Sequence, residues 1–346
     1  MTYTRFQHPG KDIFLIDMRG ERTYPFSELV SKWFEKYIKQ WKKIALLTTK
    51  KWFATWTICK DCGFVPRCKR CDIAVSIHKD DGWRSFWLCH ICKTQYDYPS
   101  QCQSCGWHDT QTYGVGSQQL AEQIQATYGI HSVLVDSSYA NSPNKIRQLT
   151  EQLQTAQIVI WTSLLSTPPK DISFDIVIVM HADASLHVPD FQSNWNCFNS
   201  LYTIIHKHTA PTYLVQSYVP EHKALQYACQ QDLQGMQTYE LQRRKTNDYP
   251  PYTQMCVLLY KHEIEKRLYG STNKLYQELL FLQEQYELKD VQIYTTPPLV
   301  YKVWWKYRYN IILKGPWLRQ FMDVAYSKLR MRSRGFKVDW EPQKLL

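Results

Sequence analysis

Eight cysteines set as four Cys-x-x-Cys pairs, Cys59/Cys62, Cys68/Cys71, Cys89/Cys92 and Cys102/Cys105, constrain this chain more than any other feature. A two-residue spacer lets both sulfurs of one tight turn reach a single tetrahedral ion, and eight thiolates complete two four-sulfur spheres. Closed spheres leave no position for water. The expected cofactor, two Zn2+ per chain, is therefore structural, holding together a stretch too short to build its own core. An iron–sulfur cluster, a thioredoxin-like redox pair and plain packing are other uses of such residues. Repetition of one spacer four times favours zinc, although spacing alone does not say which pairs share an ion. Cys197, Cys229 and Cys256 lie outside any ligand spacing and read as small buried apolar residues, while His78 and His90 read as bystanders.

Around the cysteines the pattern is α/β. Residues 12–17 read as a short buried strand, 27–41 as an amphipathic helix and 43–47 as another strand. After the cysteines come Gly114-Val115-Gly116-Ser117, a helix over 118–128 and a strand over 132–136. Strand-like runs recur at 158–161, 175–180 and 212–216 with helical patterns between them, which predicts right-handed crossovers and a largely parallel sheet. The basic stretch 242–248 leads into Tyr249-Pro250-Pro251-Tyr252, where two prolines remove backbone donors and predict a domain boundary. Beyond it, strand, long helix, strand, strand, helix and strand predict a small α+β domain. The sequence shows no internal repeat outside the cysteine pairs and no low-complexity tract.

Charge narrows the partners. The chain has 346 residues, with 42 Lys and Arg against 31 Asp and Glu, a net +11 that favours an anionic partner such as nucleic acid over a merely basic surface. The run 302–310 alternates cations with aromatics, which suits phosphate contacts combined with base stacking. Lys306, Tyr307, Arg308, Tyr309 and Asn310 are the candidate DNA- or partner-binding residues, against the plainer reading of a half-buried strand with solvated lysines. A second cluster, Lys328, Arg330, Arg332, Arg334 and Lys337, reads equally well as a solvated helix terminus. Trp83, Phe86 and Trp87 read as packing around zinc. An apolar signal core and a run of about 18 apolar residues are both lacking, so a cytoplasmic, non-membrane location is expected, where clustered thiols stay reduced.

The run Cys59-Lys60-Asp61-Cys62-Gly63, then Arg67-Cys68, Cys71-Asp72, His78, Leu88-Cys89-His90, Cys92 and Cys102-x-x-Cys105-Gly106, resembles the zinc module of the primosomal replication-restart helicase family, PriA (primosomal protein N′). The likeness extends through Ile16-Asp17-Met18-Arg19, Gly114-x-Gly116-Ser117, Val135-Asp136, Ala182-Asp183, Pro189-Asp190-Phe191, Pro220-Glu221-His222, the Tyr-Pro-Pro-Tyr segment, Lys306 to Tyr309, and Asp339 with Pro342.

The resemblance implies the C-terminal half of that family. Residues 1–58 would begin a degenerate second RecA-like helicase lobe, 59–106 would be the two-zinc insertion, 107–241 the rest of the lobe, and 242–346 the C-terminal α+β domain. It also implies nested sites, with Cys59, Cys62, Cys102 and Cys105 sharing one ion and Cys68, Cys71, Cys89 and Cys92 the other. The family recognises stalled forks, unwinds DNA 3′ to 5′ with ATP and helps reload the replicative helicase. Its implied partners are forked or single-stranded DNA, primosome proteins and the single-stranded-DNA-binding protein, whose acidic tail Lys306, Arg308 and Asn310 would help capture.

ATP chemistry is where the sequence departs from the family. It contains no Gly-x-x-x-x-Gly-Lys-Ser/Thr loop to cradle phosphates. The family's glycine-threonine-glutamine stretch reads Trp161-Thr162-Ser163, its lysine-glycine reads Thr167-Pro168, and its cleft glutamine and paired arginines fall on Thr203, Lys207 and Ala210. A lysine does not reproduce the planar fork of an arginine finger. The expectation is a fork-binding scaffold without helicase activity of its own. The alternatives are half of a split ATP-dependent helicase completed by another chain, and a zinc-ribbon assembly protein without DNA contact. Glycine is also scarce, 12 against 13 tryptophans, where ordinary usage is about 7% glycine. Trp52, Trp161 and Trp305 stand where the family has glycine. Either a reassigned stop codon read as glycine has been rendered as tryptophan, or a retired ATPase site has drifted.

Overall fold

The computed structural model describes residues 2–18, 21, 25–48, 54–59, 69, 76–79, 84–88, 94–99, 101–103, 105–106, 110–115, 117–135, 143–162, 172–187, 191–296, 302–329 and 335–342, with 54–59, 76–79, 88, 110–115, 143–146, 187 and 296 described by backbone alone. In chain order the first elements are β1 (Tyr3–His8), β2 (Lys11–Asp17), α1 (Glu28–Lys39) and β3 (Ile44–Leu47). The cysteine-rich stretch supplies β4 (Ala54–Cys59), β5 (Ser76–Lys79), β6 (Ser85–Leu88), β7 (Gln95–Asp97) and β8 (Thr110–Val115). Then follow α2 (Ser117–Tyr128), β9 (Ser132–Val135), α3 (Pro143–Thr155), β10 (Ile158–Trp161), β11 (Ile176–Val179), α4 (Ser193–Lys207), β12 (Thr212–Ser217), α5 (Lys223–Gln230) and α6 (Leu233–Thr246). The remainder is β13 (Gln254–His262), α7 (Glu265–Gln285), β14 (Gln292–Thr296), β15 (Lys302–Val303), β16 (Lys306–Gly315), α8 (Leu318–Lys328) and β17 (Lys337–Trp340).

The strands β3, β10 and β11, Ile-Ala-Leu-Leu, Ile-Val-Ile-Trp and Ile-Val-Ile-Val, are buried at every residue. Such unbroken apolar runs belong in the middle of a parallel sheet covered on both faces. The seven-stranded sheet accordingly runs β1-β2-β12-β11-β3-β10-β9, parallel throughout except at β1. Alternate residues feed two cores. Phe14, Ile16, Leu46 and Ile178 meet Val30 and Phe34 of α1 and Leu120 and Ile124 of α2. Leu15, Leu47, Val177 and Val215 meet Leu153 of α3, Phe198 and Leu201 of α4, and Leu225 of α5. The sequence pattern predicts the parallel strands; β1 is an addition to them. Pro9-Gly10 folds it back on β2, with His8 opposite Lys11 and Gly10 at φ 73°, the left-handed setting glycine takes without strain.

The α1 helix begins at Ser27, whose hydroxyl accepts from the Val30 amide at 3.2 Å. Cys197, Cys229 and Cys256 are fully buried, as small apolar residues would be. Burial pushes the thiols of Cys197 and Cys256 up to about 12 and that of Cys229 upward as well.

After β3 the chain leaves the parallel sheet and forms an antiparallel sheet of order β7-β6-β5-β4-β8 before re-entering through α2. The third sheet, β14-β16-β13-β17 with β15 hairpinned onto β16, is antiparallel. Leu275, Leu279 and Leu282 of α7 and Phe321, Met322 and Ala325 of α8 cover one of its faces, against Cys256, Leu258, Ile311 and Leu313. The other face meets Phe191 through Met255, Val257 and Ile312.

That junction is clamped by charge and stacking. Glu240, 4% exposed at its side chain, holds Arg243 at 2.9 Å and Arg244 at 2.7 Å. Arg243 also donates to the Phe191 carbonyl, and Arg244 donates to the Pro250 carbonyl at 3.3 Å. The Arg244 guanidinium lies 5.3 Å from the Phe191 ring centre, Phe191 stacks on Tyr249 at 5.1 Å, and the Lys314 ammonium lies 5.0 Å from Tyr249. Replacing Glu240 by Ala strands two largely buried guanidinium groups without their counter-charge, so a loss on the order of 3 kcal/mol is expected in chemical denaturation of the whole chain. A loss under about 1 kcal/mol, the usual worth of a solvent-exposed pair, would contradict this.

His208 is fully buried, edge-on to Trp161 at 5.2 Å, and its ring nitrogens have no hydrogen-bond partner among the described residues. Burial, with Lys207 adding repulsion, pushes its pKa down to about 4. The unfolded chain takes up this proton below about pH 6.5, while the folded chain refuses it until near pH 4. Stability should therefore fall as pH drops from about 6.5 to 4, by a few kcal/mol in total. Melting temperatures across that window should decline less steeply for His208→Gln; equal slopes would show that other groups carry the dependence.

Candidate metal centre and basic sheet face

The antiparallel ladder of β4 and β8 sets Cys59 opposite Thr110. Because Cys105 precedes Thr110 by only a few residues, the chain coming out of the Cys102–Cys105 turn enters the ladder beside Cys59. The turn itself is closed: the Gly106 amide donates to the Cys102 carbonyl at 2.9 Å, and Gly106 adopts φ 76°. A Cys-x-x-Cys-Gly run suits this closure because glycine takes the left-handed setting freely. Cys102 is buried and Cys105 exposed. At the other end, β5 and β6 form a hairpin in which Ser76 faces Leu88. Cys89 follows Leu88 directly and Cys71 precedes Ser76, so both segments leave the hairpin at one end. The Lys69 amide, next to Cys68, donates to the Tyr96 hydroxyl at 3.1 Å, tying that segment to β7, the strand after Cys92. Trp87 is buried and meets Tyr98 edge-on at 5.6 Å, a packing role.

Cys62, Cys68, Cys71, Cys89 and Cys92 lie outside the described residues, as does the side chain of Cys59. Among the described residues no group of three or more candidate ligands is assembled. The donor set that is described, two thiols in a glycine-closed turn beside the strand ending at Cys59, fits a tetrahedral zinc turn.

The cysteine-rich insert leaves from the carboxyl end of β3, the edge at which parallel sheets of this kind hold ligands. Polar groups at that edge bind one another. Asp183 is buried and accepts from the Ser217 hydroxyl at 3.1 Å and the Tyr218 amide at 2.7 Å. Gln216, fully buried, accepts from the Ser27 amide at 2.8 Å and donates to the Pro25 carbonyl at 3.0 Å. The Thr162 hydroxyl donates to the Val135 carbonyl at 3.2 Å. Sequence reasoning gave Gln216 and Ser217 no role; two polar residues closing an otherwise apolar strand were the available signal. Of the positions aligned with the family's cleft residues, Thr203 is half-buried and Lys207 exposed on α4, and Ala210 is buried ahead of β12. Thr167-Pro168 falls outside the described residues.

Lys306 to Asn310 form the first half of β16. Opposite them on β13 stand His262 to Tyr307, Lys261 to Arg308, Tyr260 to Tyr309 and Leu259 to Asn310, and Lys337 of β17 pairs with Leu259 on the other side. Side chains alternate along a strand, so Lys306, Arg308, Lys261 and Lys337 share the face without helices, while Tyr307 and Tyr309 point the other way. Arg308 directly opposite Lys261 is a like-charge pair, which costs stability unless an anion neutralises it. Burial and the nearby charges of Arg308, Lys337 and Lys306 hold the Lys261 ammonium below its usual range. Half-buried, Arg308 is likewise pushed down by desolvation, and its Nε has no hydrogen-bond partner among the described residues. Lys306 reaches Glu263 only at 3.9 Å, with both side chains mostly exposed. Tyr309 packs edge-on to Tyr269 at 5.1 Å. The Lys302 ammonium sits 4.4 Å from the centre of the Tyr307 ring. Asn310 is 4% exposed, buried in the sheet. Lys328 ends α8, whereas Arg330, Arg332 and Arg334 lie outside the described residues.

A mixed, largely parallel sheet covered by helices on both faces is compatible with a RecA-like lobe, here interrupted after its central strand by a cysteine-rich insert. No protein-family profile matches the chain. It is similar to Replication restart protein PriA of Bacillus subtilis (strain 168), 26% identical over 264 residues, which are 73% of this chain and 32% of that protein. The PriA of Chlamydia pneumoniae is 23% identical over 325 residues, 90% of this chain and 42% of that protein, and the PriA of Thermotoga maritima 22% identical over 324 residues, with 92% and 42%. The chain is a distant relative of the replication restart protein PriA, consistently across bacteria. It spans about a third to two fifths of the length of these relatives.

A Cβ added at Gly106 would meet nothing within 4 Å, so only its left-handed φ resists substitution. Gly106→Ala should destabilise the turn by about 1 kcal/mol, read as a lower denaturation midpoint. An unchanged midpoint would mean the turn contributes nothing to the folded chain.

Proposed function

We propose that this chain is a DNA-binding replication-restart protein that recognises forked DNA and recruits primosome proteins and the replicative helicase, without driving strand separation itself. The helix-free face of the third sheet supports this reading best: it gathers Lys261, Lys306, Arg308 and Lys337 with Arg308 directly against Lys261. Cations pressed together in this way await phosphates or carboxylates, and counterion release on binding phosphate makes such association strongly salt-dependent. A DNA backbone and the acidic tail of a single-stranded-DNA-binding protein both have the required charge. Lys306 and Arg308 are the direct contacts, Tyr307 and Tyr309 support their strand, and Asn310 acts from within the sheet.

In the same reading two Zn2+ per chain are held by nested thiolate sets, Cys59, Cys62, Cys102 and Cys105 around one and Cys68, Cys71, Cys89 and Cys92 around the other. Zinc there supplies folding energy and no catalysis. The ladder joining Cys59 to the strand after Cys105 favours the outer pairing, and the Lys69–Tyr96 hydrogen bond favours the inner one. Within this sequence the positions of the cleft glutamine and arginines are Thr203, Lys207 and Ala210, so the chain has no guanidinium at those positions to stabilise phosphoryl transfer.

Fork binding measured at two salt concentrations tests the proposal. The purified chain should bind forked DNA with a steep salt slope, and Lys306→Ala or Arg308→Ala should each weaken binding across all sequences and reduce that slope by about one. Absence of fork binding would leave only an assembly role. ATP hydrolysis appearing when a second chain is added would instead point to a split helicase. Metal analysis should return two zinc equivalents, and chelation should unfold the insert; markedly less zinc would refute the nested sites.

A further inference from the structure

Three tryptophans occupy backbone settings that belong to glycine. Among the described residues, Trp41, Trp304 and Trp305 have φ of 54°, 48° and 68°, the left-handed region that side chains with a Cβ rarely enter. Each sits in a motif whose glycine preference has a known cause. The amide of Trp41 donates to the Ile38 carbonyl at 3.0 Å, and that of Lys42 to the Tyr37 carbonyl at 3.0 Å. This double closure past the Gln40 cap ends α1 in a Schellman motif, and its left-handed position is filled by glycine in most helices. Gly129 takes the same left-handed setting, at φ 70°, directly after α2.

Trp304 and Trp305 are the two central residues of the hairpin between β15 and β16, where Val303 pairs with Lys306. Two successive left-handed residues make a type I′ turn, which calls for Asn-Gly, Asp-Gly or Gly-Gly. The other non-glycine residues in this region, Gln231, Asp248, Glu287 and Glu341, are polar, so every aromatic one is a tryptophan. No burial offsets the strain: the three tryptophans are 85%, 58% and 56% exposed. The chain as a whole is short of glycine, 12 residues, and carries 13 tryptophans.

We infer that the protein made in its own cell carries glycine at 41, 304 and 305, from a reassigned stop codon that the organism reads as glycine and that a code assigning this stop to tryptophan renders as tryptophan. One codon carries one meaning, and glycine is the one residue that suits all three positions. Trp161 has no left-handed signature and stands outside the inference. One consequence, which rests on the proposed binding face, is that the hairpin tip beside it offers bare backbone; Lys306 and Arg308 then act through charge, without indoles to stack on bases.

Peptide mass spectrometry of the native protein decides the matter independently of any DNA-binding result. Peptides covering 41 and 304–305 should read glycine at all three; tryptophan at any of them overturns the inference. A chain produced recombinantly with the sequence as written gives a second measure. Trp41→Gly with Trp304→Gly and Trp305→Gly should raise its melting temperature by roughly 2–4 °C for each strained position relieved. A triple variant that melts no higher than the tryptophan chain would mean that these backbone settings carry no strain, and would count against the inference.

Discussion

Burial of the parallel sheet on both faces governs the rest of the architecture. With β3, β10 and β11 apolar at every position, each strand needs cover above and below, and α1 and α2 on one side and α3, α4 and α5 on the other provide it. Helices on both faces commit every crossover to the sheet's ends. Loops at the carboxyl end converge there, and this end is where Asp183 accepts from Ser217 and Tyr218, where Gln216 bonds Ser27 and Pro25, and where the cysteine-rich insert leaves after β3. An insert at this point lies between β3 and α2 in the chain, so it enters and leaves the lobe at one edge of the sheet.

The two remaining units depend on that frame in different ways. The insert returns to its own starting point through the β4–β8 ladder, which brings Cys59 beside the strand following Cys105. The third sheet is self-sufficient on its helix-covered face and joins the lobe through the other. At one end of that face Phe191, Tyr249, Arg244 and Lys314 form a layered stack over Glu240; at the other, Lys261, Lys306, Arg308 and Lys337 crowd together. One sheet face thus packs against the lobe where its side chains are apolar and meets solvent where they are basic.

Much of this was legible in the residues. The buried runs at 158–161 and 212–216, the amphipathic helix over 27–41 and the strand-helix order after the Pro-Pro pair correspond closely to β10, β12, α1 and the elements of the third sheet. The Cys-x-x-Cys spacing picked out the glycine-closed turn, and the cation-aromatic alternation picked out β16. Edge strand β1 and the five strands of the insert were not read, because a polar hairpin and a cysteine-rich stretch lack the continuous apolar signal by which buried strands are recognised.

Composition and spacing therefore determined by themselves which segments seek the core, which of them form helices, and which cysteines lie two residues apart in a shared turn, since those properties depend on neighbours a few residues apart. Only the tertiary structure decided which cations stand against one another, that Asn310 is sealed in the sheet while the Arg308 Nε has no hydrogen-bond partner among the described residues, and that Trp41, Trp304 and Trp305 occupy left-handed backbone. Cross-strand register and backbone handedness arise from pairing between distant segments, and a one-residue slip would have turned every charged side chain to the opposite face.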